Sequence, residues 1–460
     1  MYGINIGFEI AKRALLAQQF AINVTGHNIA NVNTPGYTRQ NIKMASTYPI
    51  KIANAYGGTG VEATGIRRMR SLFLDTQFRK ENQGLGRWEN LDQTWSQIEM
   101  IFNEPSDSGL SQMMSDFWSA WQDLADDPES MSAKTAVKEK ASTVIDTFHS
   151  ISGQLTDLKD TLNSDINSTV FQINGYLQQI ADLNSDIVKY EVGGETANDL
   201  RDKRDYLVDE LSGLVNVRTQ EEDNGAITVY AGSVSIINQG DYVPWETKIT
   251  SDGDSVKTKI VLSTAHSVEI NVTDGKLKGL IEARDEIIPE KLQQLNDYAA
   301  ELVSSINAVH SAGYTSDGST GINFFNPLGI TADTIQLSDE IKENADNIAI
   351  SQDGSEGDNS NILAILALKD EKLMDNGTST FDDYYNSLIG EIGSRAQEAS
   401  NLKDNHDLLV SQIQYRQQAV SGVSLDEEMA NMISYQNAYN AAAKIIDTMD
   451  SMIDTLLNTV

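Results

Sequence analysis

Apolar residues recur every seven positions near both ends of this 460-residue chain, and no other feature constrains the fold as strongly. Heptad spacing puts these side chains on one stripe of a helix, which a partner helix must cover. The amino-terminal stripe consists of Phe8, Leu15, Ile22 and Ile29. The carboxyl-terminal stripe consists of Leu425, Met432, Tyr439, Ile446 and Ile453. We therefore predict that the two ends form helices that pair as a coiled coil and serve as assembly surfaces.

The first predicted helix stops at the sequence NVNTPGY, where proline and glycine cannot continue it. Side-chain amides and a tight turn are supplied there by Asn28, Asn31, Asn33, Pro35 and Gly36. We predict that this turn fixes the angle between the terminal helix and the rest of the molecule, and so sets the contacts between subunits. The alternative is that the group only ends the helix.

The middle of the chain is predicted to be mainly helical. Apolar residues spaced three and four apart run from Val137 to Ile180 and indicate one helix over residues 131–190, ~90 Å long at 1.5 Å per residue. A similar stripe from Trp88 to Phe102 could form an aromatic binding box, but packing against another helix requires the same spacing. We predict that this second stripe packs in the core.

Between residues 216 and 274 the sequence changes to short β-rich pieces separated by DNG and SDGD turns. Because helical periodicity precedes and follows this stretch, we predict a mainly α fold with an all-β insertion, elongated and built from several domains. The predicted domains are a terminal helical domain (1–75 with 415–460), a long-helix bundle (76–215 with 276–414) and a small outer β domain (216–275).

The formal charge of −33 is distributed unevenly along the chain. Residues 1–80 contain ten basic and three acidic residues, a balance of +7, so the remainder carries −40. Such an acidic body repels nucleic acid and anionic lipid, and no apolar run is long enough to span a membrane. We expect neither nucleic-acid binding nor membrane insertion. The basic segment can attract the acidic carboxyl-terminal segment from Tyr415 onward, or other acidic partners; alternatively, its charges form a solvated face.

No pattern in the sequence points to catalysis, a cofactor or a metal. Cysteine is absent, which excludes thiolate chemistry, and the five histidines have no metal-ligand spacing. The glycine-rich residues Gly57 to Gly60 lack the lysine of a phosphate-binding loop. Acidic turns around Asp254, and from Asp353 to Asp358, have the composition of calcium loops without their spacing, and we interpret them as surface turns.

Long motifs at both ends resemble the signatures of bacterial flagellar axial proteins. They are HNIANVNTPGYTRQ at residues 27–40 and LDEEMANMISYQNAYNAAAKIIDTMDSMIDTLLN at residues 425–458. Within that group, TRQ after the GY pair, SGVSLDEEMANMI, the internal NDLRDKRD, and GDNSNILAILAL at 357–368 are similar to the flagellar hook-associated protein 1 family. Hook and rod proteins, which share the end motifs, are the alternatives.

The resemblance implies a structural subunit, not an enzyme, that joins hook to filament. Its implied partners are further copies of itself in a ring, hook protein, a second hook-associated junction protein, and an export chaperone that holds the carboxyl-terminal helix. It implies an extracellular location in the flagellum, reached by type III export without a cleavable signal peptide, and terminal helices that order on assembly. A hydrolase fused to axial ends is a minor alternative.

Overall fold

The computed structural model describes residues 2–52, 55–252 and 255–459, most of them helical. The helices are α1 (Tyr2–Ala30), α2 (Leu72–Phe102), α3 (Leu110–Asp126), α4 (Met131–Glu191), α5 (Asn198–Leu214), α6 (Lys276–Glu282), α7 (Ile288–His310), α8 (Asp339–Glu343), α9 (Ser360–Ala367), α10 (Phe381–Ser421) and α11 (Leu425–Thr459). Within the described ranges, no helix is both long and apolar enough to cross a membrane.

The strands form small antiparallel sheets. They are β1 (Gln40–Ser46), β2 (Ile50–Ile52), β3 (Ala55–Gly57), β4 (Val61–Arg68), β5 (Val217–Glu221), β6 (Ile227–Ala231), β7 (Val234–Asn238), β8 (Asp241–Tyr242), β9 (Trp245–Asp252), β10 (Ser255–Leu262) and β11 (Ala265–Glu269). Strand β1 pairs with β4, and β2 with β3. The inserted segment contains two meanders, with strand orders β5-β6-β7-β8 and β9-β10-β11.

Helix α4 is 61 residues long, and the other elements of the main body pack around it. It continues without interruption past Gly153 and Gly175. Its predicted apolar stripe from Val137 to Ile180 is buried throughout. The stripe on α2 enters the same continuous hydrophobic core, with Trp88 packed at its edge. Both predictions of helix packing are confirmed. We call this continuous cluster, which extends from Leu91 to Ala399, the main core.

The β segment packs directly on α4. Asn174 accepts a hydrogen bond from the Trp245 backbone N–H at 2.8 Å and donates one to its carbonyl at 2.9 Å. Asn184 lies ten residues further along the helix and makes the same pair of hydrogen bonds with Ile227. It accepts from the Ile227 backbone N–H at 3.0 Å and donates to the Ile227 carbonyl at 2.7 Å. Each amide thus takes the place of a neighbouring strand for one of the two sheets. Apolar residues of both sheets belong to the main core, so the insertion and the helices share one interior.

A π-helical turn over Ala283–Ile287 joins α6 to α7. Pro289 is the second residue of α7 and has no backbone N–H to donate to a carbonyl of this preceding turn.

Helices α2 and α10 run antiparallel from the main core toward the chain ends. The pairing is marked by a hydrogen bond from Tyr385 to Glu104 at one end, and by one from Gln417 to Asp75, 2.9 Å, at the other. Near this second end the helices bury only a small separate cluster, formed by Phe78, Val410 and Ile413 with Leu85 at its edge. The two-helix segment therefore connects the main core to the terminal helices.

Candidate assembly site

The terminal helices α1 and α11 pack against each other, but they bury mainly small side chains. On α1 the buried apolar residues are Ala11, Ala17, Ala21 and Val24, and on α11 the one described as fully buried is Ala442. Close approach of the helices follows from these alanines and from Gly7, where any added side-chain carbon would overlap Met449. The completely buried part of this contact is therefore small.

The predicted stripes lie at the border of this contact. On α1, Phe8 is 40% exposed, and Leu15, Ile22 and Ile29 are partly exposed. On α11, Leu425 is 45% exposed, and Met432, Tyr439, Ile446 and Ile453 are partly exposed. The structure thus brings both stripes into the helix pair, which covers most of each side chain except Phe8 and Leu425.

Further apolar side chains on the outer faces of the pair were not predicted. Leu16 is 58% exposed, Met429 57% and Ile433 56%, and Phe20 is also exposed. A search for apolar residues at seven-residue intervals selects one stripe per helix, so it does not find apolar residues on the other faces. The apolar character of these helices at nearly every turn was the signal that could have found them.

Asn28 is the centre of the turn that ends α1. It is buried, and its Oδ1 accepts from the Tyr37 hydroxyl at 2.7 Å and from the Gln40 backbone N–H at 2.9 Å. Its Nδ2 donates to the Gln40 carbonyl at 2.9 Å and to Glu428 Oε2 at 3.0 Å. Every hydrogen-bonding position of the amide is used, and one of them reaches α11. Burial and then Asp199 raise the pKa of Tyr37, so its phenol keeps the proton that it donates.

The other residues of the predicted turn have more local roles. Asn31 donates to the His27 carbonyl at 3.0 Å and accepts from Thr34 at 3.1 Å. Asn33 and Pro35 are exposed. Gly36 has φ +74°, and a side-chain carbon there would lie 2.7 Å from Tyr206 Cβ, so the turn approaches α5 where only glycine fits.

Arg39 fastens the turn to the start of α11. Its Nε donates to Glu428 at 2.7 Å and its Nη1 to Glu427 at 2.8 Å, while its backbone N–H donates to the Ser421 carbonyl at 2.8 Å. Glu428 is buried, so its carboxylate depends on Arg39 and Asn28. These contacts span the break between α10 and α11.

Helix α5 supplies a second anchor that the sequence analysis missed. Asp202 accepts from the Thr38 backbone at 2.9 Å and its hydroxyl at 2.6 Å, and from Arg68 at 2.8 Å. Arg68 also reaches Asp205 at 2.9 Å. Burial alone would raise the pKa of Asp205, but the surrounding arginines, Arg70 foremost, hold it at about 2, so this carboxylate stays charged.

The signal for this anchor was the motif NDLRDKRD itself, which places carboxylates three residues apart on one helix face. Helix α5 also pairs with more of the basic amino-terminal charge, since Arg70 and Arg79 both contact Asp209, at 3.2 and 2.6 Å. Among the residues that the structure describes, the expected attraction between the basic segment and the carboxyl-terminal acids is present only at Arg39.

The acidic turn from Asp353 to Asp358 is closed by its own serines. Asp358 accepts from Ser351 Oγ at 2.7 Å, and these hydrogen bonds, led by the one from Ser360, lower its pKa to about 2. Across the described part of the chain, no three His, Asp or Glu side chains are grouped to hold a metal ion. The turn at Asp254 lies outside the described residues.

Comparison with known proteins decides the family. A family model described as the flagellar hook-associated protein FlgK helical domain matches residues 95–325. Flagellar hook-associated protein 1 of Bacillus subtilis (strain 168) is 34% identical, with 98% of each chain covered. The chain belongs to the flagellar hook-associated protein 1 family. It is therefore a structural protein of the bacterial flagellum, as its end motifs indicated.

Other matches agree with this membership in the flagellar hook-associated protein 1 family. Models described as the flagella basal body rod protein and the flagellar basal body rod FlgEFG protein C-terminal match residues 8–38 and 416–459. Flagellar hook-associated protein 1 of Escherichia coli (strain K12) is 26% identical over 97% of this chain and 98% of its own. The flagellar hook junction protein FlgK from Burkholderia pseudomallei has the same fold, with TM-score 0.64 and 16% identity over 75% of this chain and 100% of that one.

Proposed function

We propose that this chain is the junction subunit that connects the hook to the filament, and that it assembles through the α1–α11 pair. The proposal rests on the difference between the buried and the exposed side chains of that helix pair. Its completely buried apolar residues are mostly alanines, while large side chains such as Leu16, Met429 and Ile433 stay exposed. Exposed apolar surface of this kind is typical of a protein interface.

Assembly supplies the stability that one subunit lacks. Covering an exposed Leu, Ile, Phe or Met contributes ~1.5–3 kcal/mol. A two-helix pair without such burial is marginal, because the backbone entropy lost on ordering is of similar size. Folding of the terminal helices is therefore coupled to docking against neighbours.

The anchors described above give the pair a defined direction. Asn28 and Arg39 hold α1 to α11, and Asp202 holds the turn to α5. A joint of this kind lets the terminal helices polymerise while the rest of the chain stays outside the contact. In the predicted domain division, residues 76–215 and 276–414 form the bundle, and residues 216–275 face outward. Replacing Gly36 or Asn31 should block incorporation while the middle of the chain stays folded; normal incorporation of both variants would contradict the role of the turn.

The proposed neighbours are further copies in a ring, hook protein below, and a second hook-associated junction protein above. The subunit reaches this extracellular position by type III export without a cleavable signal peptide. A cytoplasmic chaperone holds the apolar surface of α11 before export.

Deletion of the gene tests the position of the protein. We expect cells with hooks that lack attached filaments, seen by electron microscopy, and restored filaments when the full chain is supplied. Cells without hooks would instead favour a hook or rod protein.

Deleting residues 424–460 tests the chaperone interaction. The shortened chain should lose measurable affinity for the chaperone in calorimetry, because the exposed apolar residues of α11 are gone. Full retention of affinity would place the chaperone site elsewhere.

A further inference from the structure

The β1–β4 ribbon has two faces that differ in how their charges are paired. Opposite residues of an antiparallel pair share a face, and faces alternate along each strand. Gln40 lies opposite Arg68, and this inner pair is held by α5: Gln40 donates to Asp199 at 2.7 Å and Arg68 to Asp202 at 2.8 Å. The inner face therefore uses the carboxylates of its own subunit.

The outer face carries cations without such partners. Asn41 lies opposite Arg67, and Lys43 is two residues further along β1 on the same face; both cations are exposed. Within the described residues, neither Lys43 nor Arg67 has a carboxylate within 4.0 Å, and the recorded side-chain contact of Arg67 is a 3.8 Å one to Met69 sulfur. The sequence from 40 to 68 contains four basic residues and one acid, Glu62.

Exposed tyrosines continue this surface at the end of the ribbon. Tyr48, at the start of the β2–β3 hairpin, is 94% exposed, and Tyr56, within it, is 75% exposed. Tyrosine combines a large apolar ring with a hydroxyl and is enriched where proteins meet. Cationic and aromatic side chains together form a surface suited to an acidic protein partner.

We propose that the outer face of the β1–β4 ribbon, with Lys43, Arg67 and the hairpin tyrosines, docks on the acidic body of a second copy of this chain. This inference rests on the proposed function, which places copies side by side. A second copy is the fitting occupant because the chain beyond residue 80 carries −40, whereas residues 1–80 carry +7. A basic surface and an acidic one on the same chain make a head-to-tail contact that repeats from subunit to subunit, as an assembly of side-by-side copies requires.

Cross-linking in assembled flagella tests the identity of the partner. A photo-reactive amino acid replaces Ala45, which is exposed next to the cations on β1. After irradiation we expect a dimer of this chain in which the captured peptide lies beyond residue 80. Capture of only another flagellar protein, or no cross-link, would overturn the proposal.

Charge reversal tests its chemistry with a matched control. In the photo-reactive chain, K43E with R67E should lower the yield of the dimer at least tenfold without changing the melting temperature of the monomer. The control combines K248E with K372E, which changes the net charge equally but makes the proposed acceptor more acidic, so the yield of the dimer should not fall. An equal yield in both variants would contradict the charge-based contact.

The two proposals fail in different ways. Normal filament attachment in the deletion strain would remove the junction function. Normal attachment by the photo-reactive chain, without any cross-link between copies, would remove only the ribbon contact.

Discussion

The main core and the terminal helix pair bury apolar residues in opposite ways. In the main core, large side chains such as Phe148, Trp121 and Tyr298 are buried completely. In the pair of α1 and α11, the completely buried apolar positions are mostly alanines, and the larger residues are partly covered or, like Leu16 and Ile433, exposed. Both regions are helical and both have regular apolar spacing, so spacing alone does not determine stability.

The difference shows how one chain combines a stable body with polymerising ends. A core of large interdigitating side chains supports itself. A pair of helices joined through small residues has a low cost of separation and keeps its apolar area available for neighbours. The polar anchors at Asn28 and Arg39 fix where the pair sits without adding to its apolar burial.

The largest expected effect comes from truncating the same residue type in each region. Phe148→Ala in the main core should lower the free energy of unfolding by about 3–5 kcal/mol, because it leaves a buried cavity. Phe20→Ala on α1 should lower the free energy of unfolding of the monomer by at most about 1–2 kcal/mol, because the side chain is 37% exposed and its loss opens no closed cavity. Urea denaturation of both monomers measures the difference, and equal losses would break the comparison.

Asn28→Ala should loosen the terminal pair by about 1.5–3 kcal/mol, because the buried Glu428 loses a hydrogen-bond partner. The main core should keep its denaturation midpoint. Protease cleavage within α1 and α11 measures the loosening, with Asn33→Ala, an exposed position of the same turn, as the control. Similar cleavage rates for the two variants would show that the amide does not anchor the pair.

Acidification should weaken the main core through His310. This ring is buried, and it accepts from the Ala349 N–H through Nε2 at 3.0 Å and contacts the Ile322 carbonyl through Nδ1 at 2.8 Å. Burial lowers its pKa from 6.5 to about 4. Between these values the unfolded chain binds more protons, so stability is full above pH 6.5 and falls as the pH drops toward 4.

From pH 7 to pH 5 the loss due to His310 should be about 2 kcal/mol. Urea denaturation of the wild type and of His310→Gln at both values isolates this contribution, since the variant has no imidazole to titrate. An unchanged pH dependence in the variant would rule out His310 as its source.

The smallest expected effect is that of Gly36→Ala. The positive φ costs a non-glycine residue about 1 kcal/mol, and the added carbon presses on Tyr206. Combining it with Tyr206→Gly, which removes the Cβ that the new carbon would overlap, should restore part of the loss in anchoring relative to Tyr206→Gly alone, measured by the same cleavage assay. No recovery in the double variant would attribute the whole effect to the backbone.

Helix positions could be predicted from sequence because periodicity is local. The full length of α4, the core role of the stripe from Trp88 to Phe102 and the β segment all follow from residues that are neighbours along the chain. The anchor at α5 could not, since Thr38 and Asp202 are 164 positions apart and only the fold brings them together. The stripe on α1 was visible, but its position beside the alanine contact depends on how closely the two helices approach.

Hydrogen–deuterium exchange of the free subunit and of assembled flagella tests the central claim most directly. In the free subunit, we predict slow exchange for amides of α4 in the main core and fast exchange for those of α1 and α11. In assembled flagella, the terminal helices should become as protected as α4. Equal protection of α1, α11 and α4 in the free subunit would contradict the account, because the terminal pair would then be stable without neighbours.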